Sequence, residues 1–125
     1  MPSVTALPIS EPVRIDRQRF TDIIDELGER TGRNVIDLAL EQFALVMTAT
    51  EKALARNDFP DAVSHAALLT RLAWQIGLPL VAIVAQNLGN CIEQRDLTAL
   101  AAIRARLARV GNNSLTILRG NGQAD

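Results

Sequence analysis

The chain has 125 residues, 48% of them apolar, and carries 13 Lys+Arg against 14 Asp+Glu. That is one domain's worth of chain, apolar enough to fold around its own core without a disulfide or metal staple and too apolar for a disordered segment. A net charge of −1 argues against a dedicated nucleic-acid binder, which carries a concentrated basic excess. Cys91 and His65 are the only residues of their kinds. An intrachain disulfide is therefore impossible, a reducing compartment is the easier home, and a zinc site, with its three or four ligands, cannot be built from this pair alone.

The N-terminal stretch MPSVTALPISEPVRID contains Pro2, Pro8 and Pro12 and lacks a basic region followed by an apolar run. It reads as an extended arm over residues 1–14 and not as a signal peptide. The most apolar stretch, residues 78–85, is far shorter than the roughly 20 residues a membrane span needs. A cytoplasmic protein with no membrane partner is expected.

Aromatic residues are 3% of the chain, alanine and leucine dominate, and no stretch alternates apolar and polar residues over a strand length. An all-α domain is expected over residues 15–118. The first helix starts at Asp16, whose carboxylate is suited to accept orphan N–H groups. It places Phe20, Ile23, Ile24 and Leu27 on one face and stops at Gly28. Asn34 is the next start signal. Ile36, Leu40, Phe43, Met47, Thr50 and Leu54 then form a stripe to about Arg56, widened by Leu38, Leu45 and Val46, which predicts contact from more than one side. Asp58 or Phe59 caps a third helix with Pro60 in its first turn, a core stripe of Ala62, Ala66, Leu69, Ala73 and Ile76, and a stop at Gly77. Pro79 opens the fourth, with Val81, Val84, Ala85, Leu88 and Ile92 inward. After a tight joint at Arg95-Asp96 comes the fifth, with Leu97, Leu100, Ile103, Leu107 and Val110. Gly111-Asn112-Asn113 is expected to weaken it, leaving a short further turn through Leu118 and a disordered tail over residues 119–125. One short helix and four longer ones joined by short loops predict an up-down-up-down four-helix bundle with an additional short N-terminal helix.

The third helix narrows the function. DFPDAVSHAALLTRLAWQIGLPLVAIVAQNLGNCIEQRDLTAL resembles the centre of the histidine phosphotransfer (HPt) family of bacterial phosphorelays, whose members read D-L-x-x-L-x-x-x-A-H-x-L-K-G and continue to an Ile/Leu-Gly pair and a later G-D-L. Asp58, Ala66, Leu69, Ala73, Ile76, Gly77, Leu88, Asp96 and Leu97 occupy the family's scaffold positions, and IDRQRFTDIIDELG is similar to its N-terminal lid helix. The resemblance spans about Ile15 to Val110. It departs at the chemistry. Ala67 stands where the family has the phosphoacceptor histidine, Thr70 where it has the lysine that neutralises the phosphoryl group, and Arg71 where it has the glycine that gives the partner room. The resemblance implies a degenerate member that keeps the bundle and has lost the transfer chemistry, so neither catalysis nor a cofactor is expected.

His65 precedes the acceptor position by two residues, about 200° around the helix. With Asp61 four residues before it, an Asp-paired surface histidine is the first reading. Phosphorylation of His65 is the alternative, and a nucleophilic role with Ser64 or Cys91 has no spacing to support it. Ala67, Thr70, Arg71, Trp74 and Leu78 share one side of the third helix by three- and four-residue steps. In the family that side docks a response-regulator receiver domain or a histidine kinase. Leu80, Ile83 and Asn87 form an outer row on the fourth helix, for which a lid, the C-terminal turn or a second copy of the chain are candidate covers. Arg104, Arg106 and Arg109, extended by Arg95 and Arg119, read as a solvated basic face or a site for an acidic protein, and not for nucleic acid. The expected function is an HPt-like signalling module that binds without carrying phosphate. The alternatives are a phosphotransfer protein using His65 and a structural homodimeric subunit.

Overall fold

The computed structural model describes the backbone of residues 14–124 and the side chains of residues 14–120. The described residues form five helices and no strand: α1 (Arg17–Leu27), α2 (Glu29–Ala55), α3 (Phe59–Gln75), α4 (Pro79–Glu93) and α5 (Leu97–Ala124). Each helix packs on the next, and α2 also meets α5. The expected arm lies outside the described residues apart from Arg14.

Three joints share one construction. The chain leaves α2, α3 and α4 through a single left-handed residue, Asn57 (φ 56°), Gly77 (φ 81°) and Arg95 (φ 59°). At each, the following N–H reaches back to a carbonyl in the last helical turn: Asp58 to Ala53, Leu78 to Ala73 and Asp96 to Cys91. This closure satisfies carbonyls that the helix end would otherwise strand. The residue that closes one helix also opens the next. Asp58 accepts the Asp61 N–H at 3.2 Å and Asp96 accepts the Ala99 N–H at 3.1 Å, both through the side chain. Pro60 and Pro79 fall in first turns, where a missing N–H costs nothing.

Asp16 does precede α1, but its carboxylate does not cap the helix. Its backbone N–H donates to the Gly77 carbonyl at 2.7 Å instead, and Arg19 Nε–H donates to the Gln75 carbonyl at 2.9 Å. The start of α1 is thereby tied to the α3–α4 joint. Phe20 and Ile24 of α1, Ile36 and Leu40 of α2 and Leu118 of α5 line one cleft where those helices converge.

Two boundaries differ from expectation. Helix α2 begins at Glu29, five residues before Asn34, and continues through Gly32. A Cβ at Gly32 would lie 2.9 Å from the Ile24 Cα, so this glycine is a close crossing of α1 over α2 and not a break. Helix α5 does not weaken at Gly111-Asn112-Asn113 but runs unbroken to Ala124, through the residues expected to form a loose tail. Gly111 is buried with the Met47 thioether seated against it, so it too is spent on a tertiary contact.

Phe43, Leu69, Leu78, Val81, Val84 and Leu88 are among the fully buried side chains of the core. Ala62, Ala66 and Ala73 of α3 and Ala82 and Ala85 of α4 are all buried, and small residues of this kind let packed helices approach closely. The buried hydroxyls of Thr50 and Ser114 donate to carbonyls four residues back, Val46 and Val110, at 2.7 Å each. The broad stripe expected on α2 is only partly covered. Val46 is buried, whereas Leu38 and Leu45 are each 66% exposed.

Candidate functional site

The side of α3 singled out by the sequence opens onto a surface groove. The core stripe of α3 faces inward, so the residues about 100° away from it fall on the α4 flank. Ala67, Thr70 and Trp74 line one wall, Gln86, Gly89, Asn90 and Glu93 of α4 line the other, and Ala66 and Ala85 form part of the floor. Small side chains at the helix contact make the floor, and Gly89, with nothing within 4 Å of where its Cβ would stand, leaves the α4 wall low.

Trp74 is 52% exposed, the only tryptophan in the chain, and sits in the last turn of α3 at one end of the groove. An indole this open to water exposes apolar area that a partner could cover. Arg71 is exposed one turn before it. The Thr70 hydroxyl donates to the Ala66 carbonyl at 2.9 Å, so it is engaged with its own helix.

Leu78 does not belong to this face. It is fully buried and lies beyond the end of α3, because the left-handed turn at Gly77 swings the chain inward before that position is reached. Arg71 is on the exposed side of α3 but does not line the groove. The α4 wall was not singled out from the sequence. Its signal was present, since Gln86, Gly89, Asn90 and Glu93 recur at three and four residues as a small and polar row.

His65 is half-buried on α3 and does not line the groove. Its Nε2 lies 3.7 Å from Asp61 Oδ2, the same oxygen that Arg56 approaches at 2.7 Å. The expected Asp61–His65 pairing is present, with Arg56 as a third member. A carboxylate beside Nε2 repels an incoming phosphoryl anion at that nitrogen. Cys91 packs half-buried against the core. Among the described residues no three His, Cys, Asp or Glu side chains come together as metal ligands, and no helix is long and apolar enough to cross a membrane.

On α4, Leu80 packs against the core while Ile83 remains 47% exposed. The basic row on α5 is partly consumed. Arg104 donates through Nε to Glu51 of α2 at 2.9 Å, and this hydrogen bond pushes the Arg104 guanidinium above its ordinary value. Arg106 and Arg109 are also engaged.

No protein-family model, curated protein or solved structure matches the chain.

Proposed function

We propose that this chain is an HPt-like four-helix bundle, α2 to α5 with α1 as the added N-terminal helix, that works in cytoplasmic two-component signalling by binding a receiver or kinase domain without carrying phosphate. Contacts of α2 with α3, α3 with α4, α4 with α5 and α5 with α2 support the bundle, being the pairs a four-membered ring of helices makes. The observation that carries the function is the coincidence of two independent readings. The positions that resemble the family's docking face, Ala67, Thr70 and Trp74, line an exposed groove that ends in a half-exposed tryptophan, and none of them is a histidine. A binding partner sequestered by this face would be withheld from an active phosphotransfer protein. The test is a binding titration against a panel of receiver and kinase domains. The reading predicts saturable binding to at least one and a loss of tenfold or more in Trp74→Ala, on the order of the 1.4 kcal/mol or more that a central aromatic anchor contributes. Binding indifferent to Trp74 would remove the groove from the interaction.

A second reading rests on α2. Val35, Leu38 and Leu45 are exposed on one side of it, the two leucines seven residues apart. A structural homodimer would cover them. Equilibrium sedimentation of the wild type and of Leu38→Glu with Leu45→Glu separates it: a dimer that the double substitution dissolves favours assembly over signalling.

A further inference from the structure

We propose that the cleft between α2 and α5 binds a medium-chain carboxylate, with its alkyl chain along the apolar floor and its head group at Lys52.

The cleft follows residues 47–54 of α2 and 104–112 of α5 and has a volume of about 390 Å³. Small-molecule sites run from about 300 to 1,000 Å³. Two braces join the helices here. The Met47 thioether is seated against Gly111, and Arg104 is paired with Glu51. Met47 and the ion pair both line the cleft. Its apolar lining comes from Met47, Leu54, Leu107 and Ala108, and Leu54 and Leu107 are buried. Ala108 is half-buried, and its single methyl leaves room that a longer side chain would take. A methionine thioether adapts its shape to what it touches. The Thr48 and Thr50 hydroxyls already donate to the Ala44 and Val46 carbonyls, at 3.1 and 2.7 Å, and need no ligand group to accept from them.

Charge sets the head group. Both carboxylate oxygens of Glu51 accept from Arg104 Nε–H, at 2.9 and 3.1 Å, so the acid is matched within the cleft. Lys52 is exposed and makes no ion pair among the described residues. One uncompensated positive charge therefore stands at the rim of an apolar cleft. A carboxylate there keeps its hydration while meeting an opposite charge, whereas an alkylammonium is repelled.

Helix geometry sets the chain length. Residues 47–54 span about 10 Å at about 1.5 Å per residue. An extended alkyl chain advances about 1.25 Å per bond, from a C–C bond of about 1.52 Å and an angle of about 111°. About eight bonds cover the floor, which is the size of octanoate.

This inference does not rest on the signalling function proposed above. Calorimetric titration of the full chain with butanoate, hexanoate, octanoate, decanoate and dodecanoate, each below its micelle concentration, tests it. Binding should be saturable and one-to-one. It should tighten about two- to fourfold per added methylene up to octanoate, as apolar area is buried, and then level off. Lys52→Gln should weaken octanoate about three- to fivefold, the scale of an exposed charge pair, and octylammonium should not bind. Ala108→Phe, with helix content checked by circular dichroism, should fill the floor and abolish the dependence on chain length. Trp74 emission should not respond, because this cleft and the tryptophan groove share no residue. Absence of saturable octanoate binding overturns the proposal. So does affinity that climbs unbroken through dodecanoate, equal binding of octylammonium, or equal binding by Lys52→Gln. A Trp74 response that titrates with octanoate also overturns it and moves the ligand to the other groove.

Discussion

Replacing Gly77 by alanine isolates how α1 is held. Asn57, Gly77 and Arg95 occupy the same left-handed position in three joints of the same construction, so the backbone demand is shared and only the surroundings differ. A side chain in that conformation costs about 1–2 kcal/mol. At Gly77 there is a second cost, since a Cβ would stand 2.8 Å from the Asp16 carbonyl oxygen and 3.2 Å from the Asp16 Cβ. A backbone atom cannot be turned aside, so the start of α1 must shift. Shifting it endangers the 2.7 Å bond from Asp16 N–H and the 2.9 Å bond from Arg19, each contributing about 1 kcal/mol net. Gly77→Ala should thus lose about 2–4 kcal/mol in urea unfolding followed by circular dichroism. Arg95→Gly removes only the conformational strain and should gain about 1 kcal/mol at most, because glycine is also freer in the unfolded chain. Arg19→Ala completes the comparison. It should cost about 1 kcal/mol in the wild type and close to nothing in Gly77→Ala, where the shift of α1 has already weakened its bond to the Gln75 carbonyl. A Gly77→Ala cost no larger than the Arg95→Gly gain would refute the claim that α1 docks on this joint, as would a full Arg19→Ala penalty in both backgrounds.

Gly111→Ala sets helix propensity against packing. Alanine favours the helix by about 1 kcal/mol, but its methyl would displace the Met47 thioether, so thermal unfolding should show near-neutrality in the wild type and a gain of about 1 kcal/mol in a Met47→Ala background. Gly89→Ala meets nothing within 4 Å and should stabilise by about 0.5–1 kcal/mol, while a narrower groove weakens partner binding in the same titration that tests Trp74→Ala. Glu51→Gln breaks the α2–α5 pair with Arg104, whose side chains are 52% and 38% exposed, and should cost only about 0.5 kcal/mol after screening, less in molar salt. Because the hydrogen bond to Glu51 holds the folded Arg104 guanidinium above its ordinary value, its share of that stability is present below the unfolded value and is lost only as pH rises through the folded one. The Glu51→Gln difference measured by urea titration should therefore be flat between about pH 7 and 11.

The helical class and the core stripes of α3 and α4 were legible because both rest on local signals. Asp58, Pro60, Gly77 and Pro79 act within a turn of where they stand, and a period of 3.6 then fixes which residues face inward. The two misplaced boundaries share a cause. Gly111 reads locally as helix-weakening and the sequence places the start of α2 at Asn34, past Gly32, yet each glycine is a place where another element comes too close for a side chain, and only the assembled fold shows what arrives. Asp16 teaches the same lesson in reverse: it sits where a capping residue should, but its backbone and not its carboxylate makes the bond that matters. Within the candidate site, Ala67, Thr70 and Trp74 follow from helical spacing alone. Leu78 was carried along the same spacing past the helix end, and the left-handed turn at Gly77 sends it into the core. The α4 wall was missed because attention to apolar residues passes over a row of Gln86, Gly89, Asn90 and Glu93.

The proposed function is the binding of signalling domains without carriage of their phosphate. The direct measurement is incubation of the chain with a panel of radiolabelled phospho-receiver domains, with label on the chain and complex formation read side by side. The account predicts at least one complex and no label on the chain. Acid-labile label that appears on the wild type and vanishes in His65→Ala would contradict it and make His65 the phosphoacceptor.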